Sequence, residues 1–334
     1  MNIKSSRVCT IDSPCKINLH LKIGERRADG FHSLESLFTS LAFGDTLRFE
    51  CTEKEGECSL SMNWEIPGEP ILPEENLVFR AVSLFREQSG FKNGLRINLD
   101  KRIPVGAGLG GGSSNAASSL LALNILAGSP LSMEKLSKMA AVLGSDVPFF
   151  LKGGLAFVGG RGELVDFFDF SRKIWVVLGM PPVSIATANA YRLLDQARKG
   201  GIGENNGQVL SKMDLLQALN KDPSSWPFQN DFLSLFLNSK VLKGGENELN
   251  SGIFTGILEA LRKEGASFTG LSGSGSCCYG IFTTREAAER AERELSGKQW
   301  YLPGGKGTEN LLPHQANFVK MTFFLARRVD PVVK

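Results

Sequence analysis

PVGAGLGGGSSNA, from Pro104 to Ala116, is followed after Ala117 by SSLLALNIL, an apolar segment that fits only a helix. Gly106, Gly108, Gly110, Gly111 and Gly112 lack a Cβ, so the backbone can turn through positive φ and aim several N–H groups at one anion. Ser113 or Ser114 stands where a helix cap belongs, ahead of a first turn with unpaired N–H groups and a positive dipole end. A loop of this kind leading into a helix N-terminus is a phosphate cradle. Flexible linkers share its composition, but they do not run into a capped apolar helix.

Two other phosphate loops are excluded. G-x-G-x-x-G is present at Gly106, Gly108 and Gly111, yet a dinucleotide fingerprint needs a strand leading in and an acidic residue about twenty positions later, at the end of the next strand. Pro104 interrupts the approach and the later segment reads as helix. A Walker loop requires Lys-Ser or Lys-Thr after its last glycine, and Gly112 is followed by Ser113. The signature set of the protein kinases is absent as well.

With 334 residues, 42% hydrophobic and 22% charged, the chain is long enough for two domains of an ordinary globular protein. A net charge of +3 is too small to argue for nucleic acid, and an acidic small substrate suits it equally. Cys9, Cys15, Cys51, Cys58, Cys277 and Cys278 form no C-x-x-C pair, and His20, His32 and His314 are scattered, which indicates neither a zinc site nor a disulfide framework. No leader-like apolar core and no stretch of about 18 apolar residues is present, so the expectation is a cytoplasmic protein with no membrane partner.

Upstream of the loop, alternation over Val8 to Ile23 predicts a strand with Lys16 and Asn18 on one face. ERRADG then forms a turn at Asp29-Gly30, and Phe31-His32 opens Phe- and Leu-rich strands; an aromatic beside a histidine suits either a flat heterocycle or a partly buried strand start. Residues Thr52 to Glu75 read as a polar surface excursion. Asn76 to Gln88 reads as an amphipathic helix with Leu77, Ala81, Leu84 and Phe85 inward, and Leu95 to Leu99 as a strand leading by way of Lys101 into the loop.

Downstream, Ser132 caps a helix with Leu136, Met139, Ala140 and Leu143 inward, ended by Gly144. Asp146, just before Pro148, reads by spacing as a helix cap. A glycine-rich strand pair (Lys152 to Asp169) and a buried strand (Ile174 to Leu178) follow, and a second domain is expected near that point, giving 1–173 and 174–334. In it are expected a helix carrying Tyr191, a helix from Ile253 to Glu264, a strand pair around the second glycine loop GLSGSGS, a helix from Arg285 to Leu295 and a strand from Phe318 to Arg327. Gly200 to Gly207, Leu242 to Ser251 and Gly304 to Gln315 read as loops.

SPCKINLHL (Ser13 to Leu21), PVGAGLGGGSSNA and LSGSGS (Leu271 to Ser276) together resemble the signature motifs of the GHMP kinase superfamily in order and spacing. Within it the chain is similar to the branch that acts on 4-diphosphocytidyl-2-C-methyl-D-erythritol, on P-x-K-x-N at Pro14, Lys16 and Asn18, R-x-D-G-[FY]-H from Arg27 to His32, and G-x-D-V-P from Gly144 to Pro148. It departs at Pro182, where that branch usually has glycine.

The resemblance implies an α/β (α+β) fold of two domains, an N-terminal ATP-binding domain and a C-terminal open α/β sandwich for substrate. It implies γ-phosphoryl transfer from ATP, with Mg²⁺, to the C2 hydroxyl of a CDP-alcohol. Lys16 and Asp146 would be catalytic. ATP would meet Pro104, Val105, Gly106, Ala107, Gly108, Leu109, Gly110, Gly111, Gly112, Ser113, Ser114, Asn76 and Lys101. Substrate would meet Asn18, Thr187, Gly273 and Gly275, with Phe31 and Tyr191 stacking on cytosine and His32 hydrogen-bonding it. Two rivals stand at this level: a GHMP kinase for a sugar, homoserine or mevalonate-type substrate, and a nucleotide- or RNA-binding module without chemistry. Phe31-His32 opposes the first and Lys16 with Asp146 the second.

Overall fold

The chain opens with a long β-hairpin, β1 (Val8–Arg26) and β2 (His32–Thr52), turned at Gly30, whose φ of 84° is accessible to glycine without strain. The computed structural model describes residues 7–65, 75–181, 183, 185–201, 210–238, 248–296, 318–328 and 330–333. β3 (Cys58–Trp64) runs parallel to β4 (Gly94–Lys101), and β4 pairs with Thr46–Thr52 of β2. Further back along β2, Ser36–Thr39 pairs with β5 (Leu155–Gly159), which forms a hairpin with β6 (Leu164–Phe168). Over one face lie α1 (Leu77–Ser89), α2 (Gly111–Leu126), α3 (Met133–Leu143) and α4 (Val147–Lys152). The middle of α2 is built from small and apolar residues all round, which lets it lie buried between the sheet and the other helices.

Beyond Phe168 the chain enters a second, antiparallel sheet at β7 (Trp175–Met180). α5 (Thr187–Lys199), α6 (Lys212–Leu219), α7 (Asp231–Leu237) and α8 (Glu248–Lys263) precede β8 (Phe268–Leu271) and β9 (Cys278–Phe282). α9 (Arg285–Leu295) leads to β10 (Phe318–Phe323), completing the order β10-β7-β9-β8. The chain then returns to the first sheet, where Arg328 donates to Phe150 O at 2.7 Å and β11 (Val332–Val333) pairs with Cys9 and Thr10. Both sheets contribute to one apolar core: Cys15, Ile17 and Leu19 of β1 pack with Leu178, Tyr279 and Ile281. The buried Tyr279 hydroxyl donates to Asn18 O at 3.0 Å, fixing the second sheet to the centre of β1.

Several expectations are corrected. The polar excursion contains β3, whose CSLSMNW alternates apolar and polar; its exposed serines and asparagine hide the strand in a composition reading. In α1 the buried residues are Val78, Ala81, Val82 and Phe85, while Leu77 and Leu84 are half-buried, a rotation of the inward face. α8 begins at Glu248, so 248–251 is helix rather than loop, and β10 ends at Phe323. Pro182 and residues 202–207, 242–247 and 304–315 lie outside the described residues.

The approach to the glycine loop is held by a buried carboxylate. Asp45 Oδ1 accepts the N–H groups of Arg102 and Ile103 at 2.7 and 2.8 Å, and Oδ2 accepts Lys101 Nζ at 2.9 Å. Burial pulls the Lys101 ammonium below the usual lysine range and Asp45 works against that, so each charge depends on the other. Removing one member of such a pair leaves an uncompensated buried charge. Asp45→Ala should therefore lower unfolding stability by about 3 to 5 kcal/mol. Urea denaturation checks this; an unchanged midpoint would remove the pair from the framework of the loop.

Candidate active site

Gly106, Gly108 and Gly110 adopt φ of 69°, 75° and 72°, as the loop reading requires, and Gly110 itself is the N-cap residue of α2. Neither serine caps the helix. Gly110 offers no side chain, so no side-chain cap occupies the leading N–H groups, which suits a cradle for an external anion. Ser114 is fully buried, its Oγ 2.8 Å from the Ser13 hydroxyl, which also lies 2.6 Å from Asn115 Oδ1. That pairing turns Ser114 toward β1, while Ser113 lines the cavity.

The loop forms one wall of a cavity of about 300 Å³. Met62 of β3, Leu77 of α1 and Leu99 of β4 give it an apolar side, and Asn76 and Lys101 also line it. Asn76 is the N-cap of α1, its side chain accepting from Val78 N at 3.0 Å. Lys101, expected as an ATP contact, has its ammonium committed to Asp45 and to Ile103 O. Sequence reading missed Asp45 and Met62. The alternation of CSLSMNW could have found Met62, whereas Asp45 carries no local signal.

Across the loop from this cavity stands Lys16. Its backbone N–H donates to Leu109 O at 3.0 Å, and the Cβ position of Gly110 is 2.8 Å from Phe150 Cζ and 3.2 Å from the lysine Cγ, so glycine lets the loop lie against both side chains. Register shifts in β1 flank Lys16 and Asn18, where bulges re-aim side chains. Lys16 Nζ donates to Asn18 Oδ1 at 2.6 Å and lies 3.6 Å from Asp146 Oδ2. Asp146 occupies the N-cap position of α4 but makes no side-chain cap; its carboxylate, about a third exposed, points toward Lys16 instead. The cap reading is therefore overturned by the stronger pull of a buried ammonium. Burial draws the Lys16 pKa down and Asp146 opposes the shift.

Gly108 touches the second sheet. A Cβ there would lie 2.0 Å from Ser272 O, and Ser272 Oγ donates to Gly108 O at 2.8 Å. Gly273 packs on Gly108 and faces Asn18 Oδ1, whereas the Cβ position of Gly275 faces Leu271 and Ile185. Thr187 Oγ1 is 3.0 Å from Ser274 Oγ, so the start of α5 is fixed to the same loop. One turn on, Tyr191 stacks on His32 at 5.2 Å and 25°. Burial, and then the charge of Asp146, raise the Tyr191 phenol, which puts both in one electrostatic neighbourhood.

His32 is already engaged. Its Nδ1 is 3.0 Å from Gly24 O and its Nε2 3.2 Å from Asp195 Oδ1, so in this structure neither ring nitrogen faces an open cleft. Phe31 differs: it is 55% exposed, with the Arg161 guanidinium 5.0 Å from its ring centroid.

A glycine loop opening a helix, a buried lysine facing a partly open aspartate beside it and a second glycine loop from another sheet define a GHMP kinase. The family models agree: the GHMP kinases N terminal domain matches residues 76–154 and the GHMP kinases C terminal matches 238–302. A crystal structure of 4-(cytidine 5'-diphospho)-2C-methyl-D-erythritol kinase superposes with a TM-score of 0.70 at 30% identity, covering 94% of this chain and 99% of that one. The 4-diphosphocytidyl-2-C-methyl-D-erythritol kinase of Chlorobaculum parvum is 34% identical over 86% of this chain and 94% of its own length. The chain therefore belongs to the 4-diphosphocytidyl-2-C-methyl-D-erythritol kinase family. The chloroplastic kinase of that name from Oryza sativa subsp. japonica is 35% identical over 80% of this chain, which spans 63% of that protein's length. Among the described residues no helix is long and apolar enough to cross a membrane.

Gly108→Ala should destabilise the protein by at least about 2 kcal/mol, since it adds left-handed strain to a backbone clash with Ser272. Gly112→Ala should not, because its Cβ would meet only Leu77 Cδ1 at an ordinary 3.6 Å. Thermal unfolding of the two variants side by side checks the contrast; equal midpoints would show that the loops do not meet as described.

Proposed function

We propose that this chain transfers the γ-phosphoryl group of ATP to the C2 hydroxyl of 4-diphosphocytidyl-2-C-methyl-D-erythritol, a step of isoprenoid precursor synthesis; its relatives are named as kinases of that compound. The observation that carries the reading is Lys16: a buried ammonium held between Asn18 and Asp146, its stem packed on the phosphate loop. Its partners on this reading are ATP and the CDP-alcohol, with neither nucleic acid nor membrane involved, and the compartment is the cytoplasm.

Phosphoryl transfer asks the protein for in-line positioning and charge neutralisation rather than covalent help. Adenine would rest against Met62, Leu77 and Leu99, with the phosphates on the N–H groups from Gly106 to Ser113. As the alcohol oxygen bonds to the γ-phosphorus and the bond to the β,γ-bridging oxygen breaks, Asp146 takes the hydroxyl proton and ADP departs. Lys16 holds the carboxylate in place and offsets the charge that develops. Cytosine would stack on Phe31, with Tyr191 and His32 forming the adjoining wall. His32 is read here through its hold on Tyr191, because its nitrogens are occupied by Gly24 and Asp195.

The donor set fits a Mg²⁺ ion that arrives on the nucleotide. Among the described residues no three His, Cys, Asp or Glu side chains gather into a cage, and Mg²⁺ is ordinarily held by phosphates, waters and one or two carboxylates. The Ser113 hydroxyl, which lines the cavity, is the group that would help complete its shell, and the ion would supply positive charge to the transferring phosphates.

Asp146→Asn keeps the size of the side chain but cannot accept the proton, and should lower kcat by roughly 10²- to 10⁴-fold, about 3 to 5 kcal/mol, with ATP affinity little changed. A kcat within tenfold of wild type would remove Asp146 from the base role. Phe31→Ala should raise KM for the CDP-alcohol by roughly 5- to 150-fold and leave KM for ATP in place. The assignment itself is tested by incubation with ATP, Mg²⁺ and the CDP-alcohol, with products followed by phosphorus NMR. Equal use of methylerythritol carrying no nucleotide would overturn it.

A further inference from the structure

The tight turn between β5 and β6 touches both ends of the cleft. Gly160 O accepts the Leu34 N–H at 2.9 Å, which fixes the turn to the strand that follows Phe31 and His32. Gly162, two residues on, lies against Ser145, its Cβ position 2.9 Å from Ser145 Cβ and one residue from Asp146. Arg161 stands between these two anchors with its guanidinium over the Phe31 ring. Among the described residues that guanidinium makes no ion pair, and the nearby Glu163 is used by the turn itself, accepting the Arg161 N–H at 2.7 Å.

We propose that Arg161 binds the diphosphate of the CDP-alcohol and is a specificity-determining residue for it. The inference rests on the function proposed above and deepens it. With cytosine on Phe31 and the reacting hydroxyl at Asp146, the two phosphates that join them would pass the turn at 160–162, which touches the strand after Phe31 at one end and Ser145 at the other, and Arg161 stands on that turn. A guanidinium offers a planar fork of donors that matches phosphate oxygens, and it stacks on aromatic faces, so the Phe31 ring holds it ready beside the path of the diphosphate. An exposed arginine is ordinarily a solvated surface charge. This one is distinguished by the Phe31 ring beneath its guanidinium and by a turn whose backbone is bonded to Leu34.

Calorimetry with CDP and cytidine as probes separates the possibilities. Wild type should bind CDP more tightly than cytidine, and Arg161→Ala should weaken CDP roughly tenfold while leaving cytidine within about twofold. Arg161→Lys should recover part of the loss, since it restores the charge without the fork. Added salt should weaken CDP more in wild type than in Arg161→Ala. In turnover, KM for the CDP-alcohol should rise while kcat and KM for ATP hold. If Arg161→Ala keeps the full preference for CDP, the inference is overturned and the function stands. Should cytidine weaken as much as CDP, Arg161 acts only by supporting the Phe31 ring, and the inference is again overturned. Wild type binding neither probe would overturn the cytidine reading of the cleft and this inference with it.

Discussion

Two backbones, at Gly108 and Ser272, approach more closely than any side chain would permit. The Cβ that Gly108 lacks would overlap the Ser272 carbonyl, and the second loop donates two hydrogen bonds to the first, Ser272 Oγ to Gly108 O and Cys277 N to Ala107 O at 3.1 Å. One loop opens α2 of the first sheet and the other joins β8 to β9 of the second. Their contact fixes the angle between the layers and so the cleft between them. Glycine serves twice here, once for positive φ and once for the space its missing side chain leaves.

On either side of that contact the protein buries a lysine and sets a carboxylate beside it. Lys101 and Asp45 lie before the loop, with almost no exposure on either side chain; Lys16 and Asp146 lie beyond it, the first buried and the second partly open. An unpaired charge in such surroundings is too costly to keep. The difference in exposure separates their roles: a closed pair with every carboxylate oxygen occupied braces the backbone, whereas a carboxylate open to the cleft can meet a substrate.

α5 extends this order to the far end of the cleft. Thr187, Tyr191 and Asp195 fall four residues apart and so share one helix face. The first reaches Ser274 in the second glycine loop, the second stacks on His32, and the third faces His32 Nε2. From the last turn Arg198 donates to Gly24 O at 2.9 Å, the carbonyl that His32 Nδ1 also meets. A single helix thus contacts both the ring pair and the second glycine loop.

What the sequence determined by itself was local chemistry. The glycines that need positive φ, the helix that follows them, the alternation that sets Lys16 beside Asn18 and the Ser132 cap of α3 are all decided within a few residues, where backbone sterics and side-chain period act. Family motifs added which of those residues belong to one site. Tertiary structure decided what depends on partners distant in the chain. Asp146 spells a cap and is drawn instead to a lysine 130 positions away, and Ser114 spells a cap and turns to Ser13. In each case a short polar or charged side chain had a local use open to it. A buried partner of opposite charge or matching hydrogen bond won, because burial removes the water that would otherwise satisfy the group and makes that partner worth more than the local one.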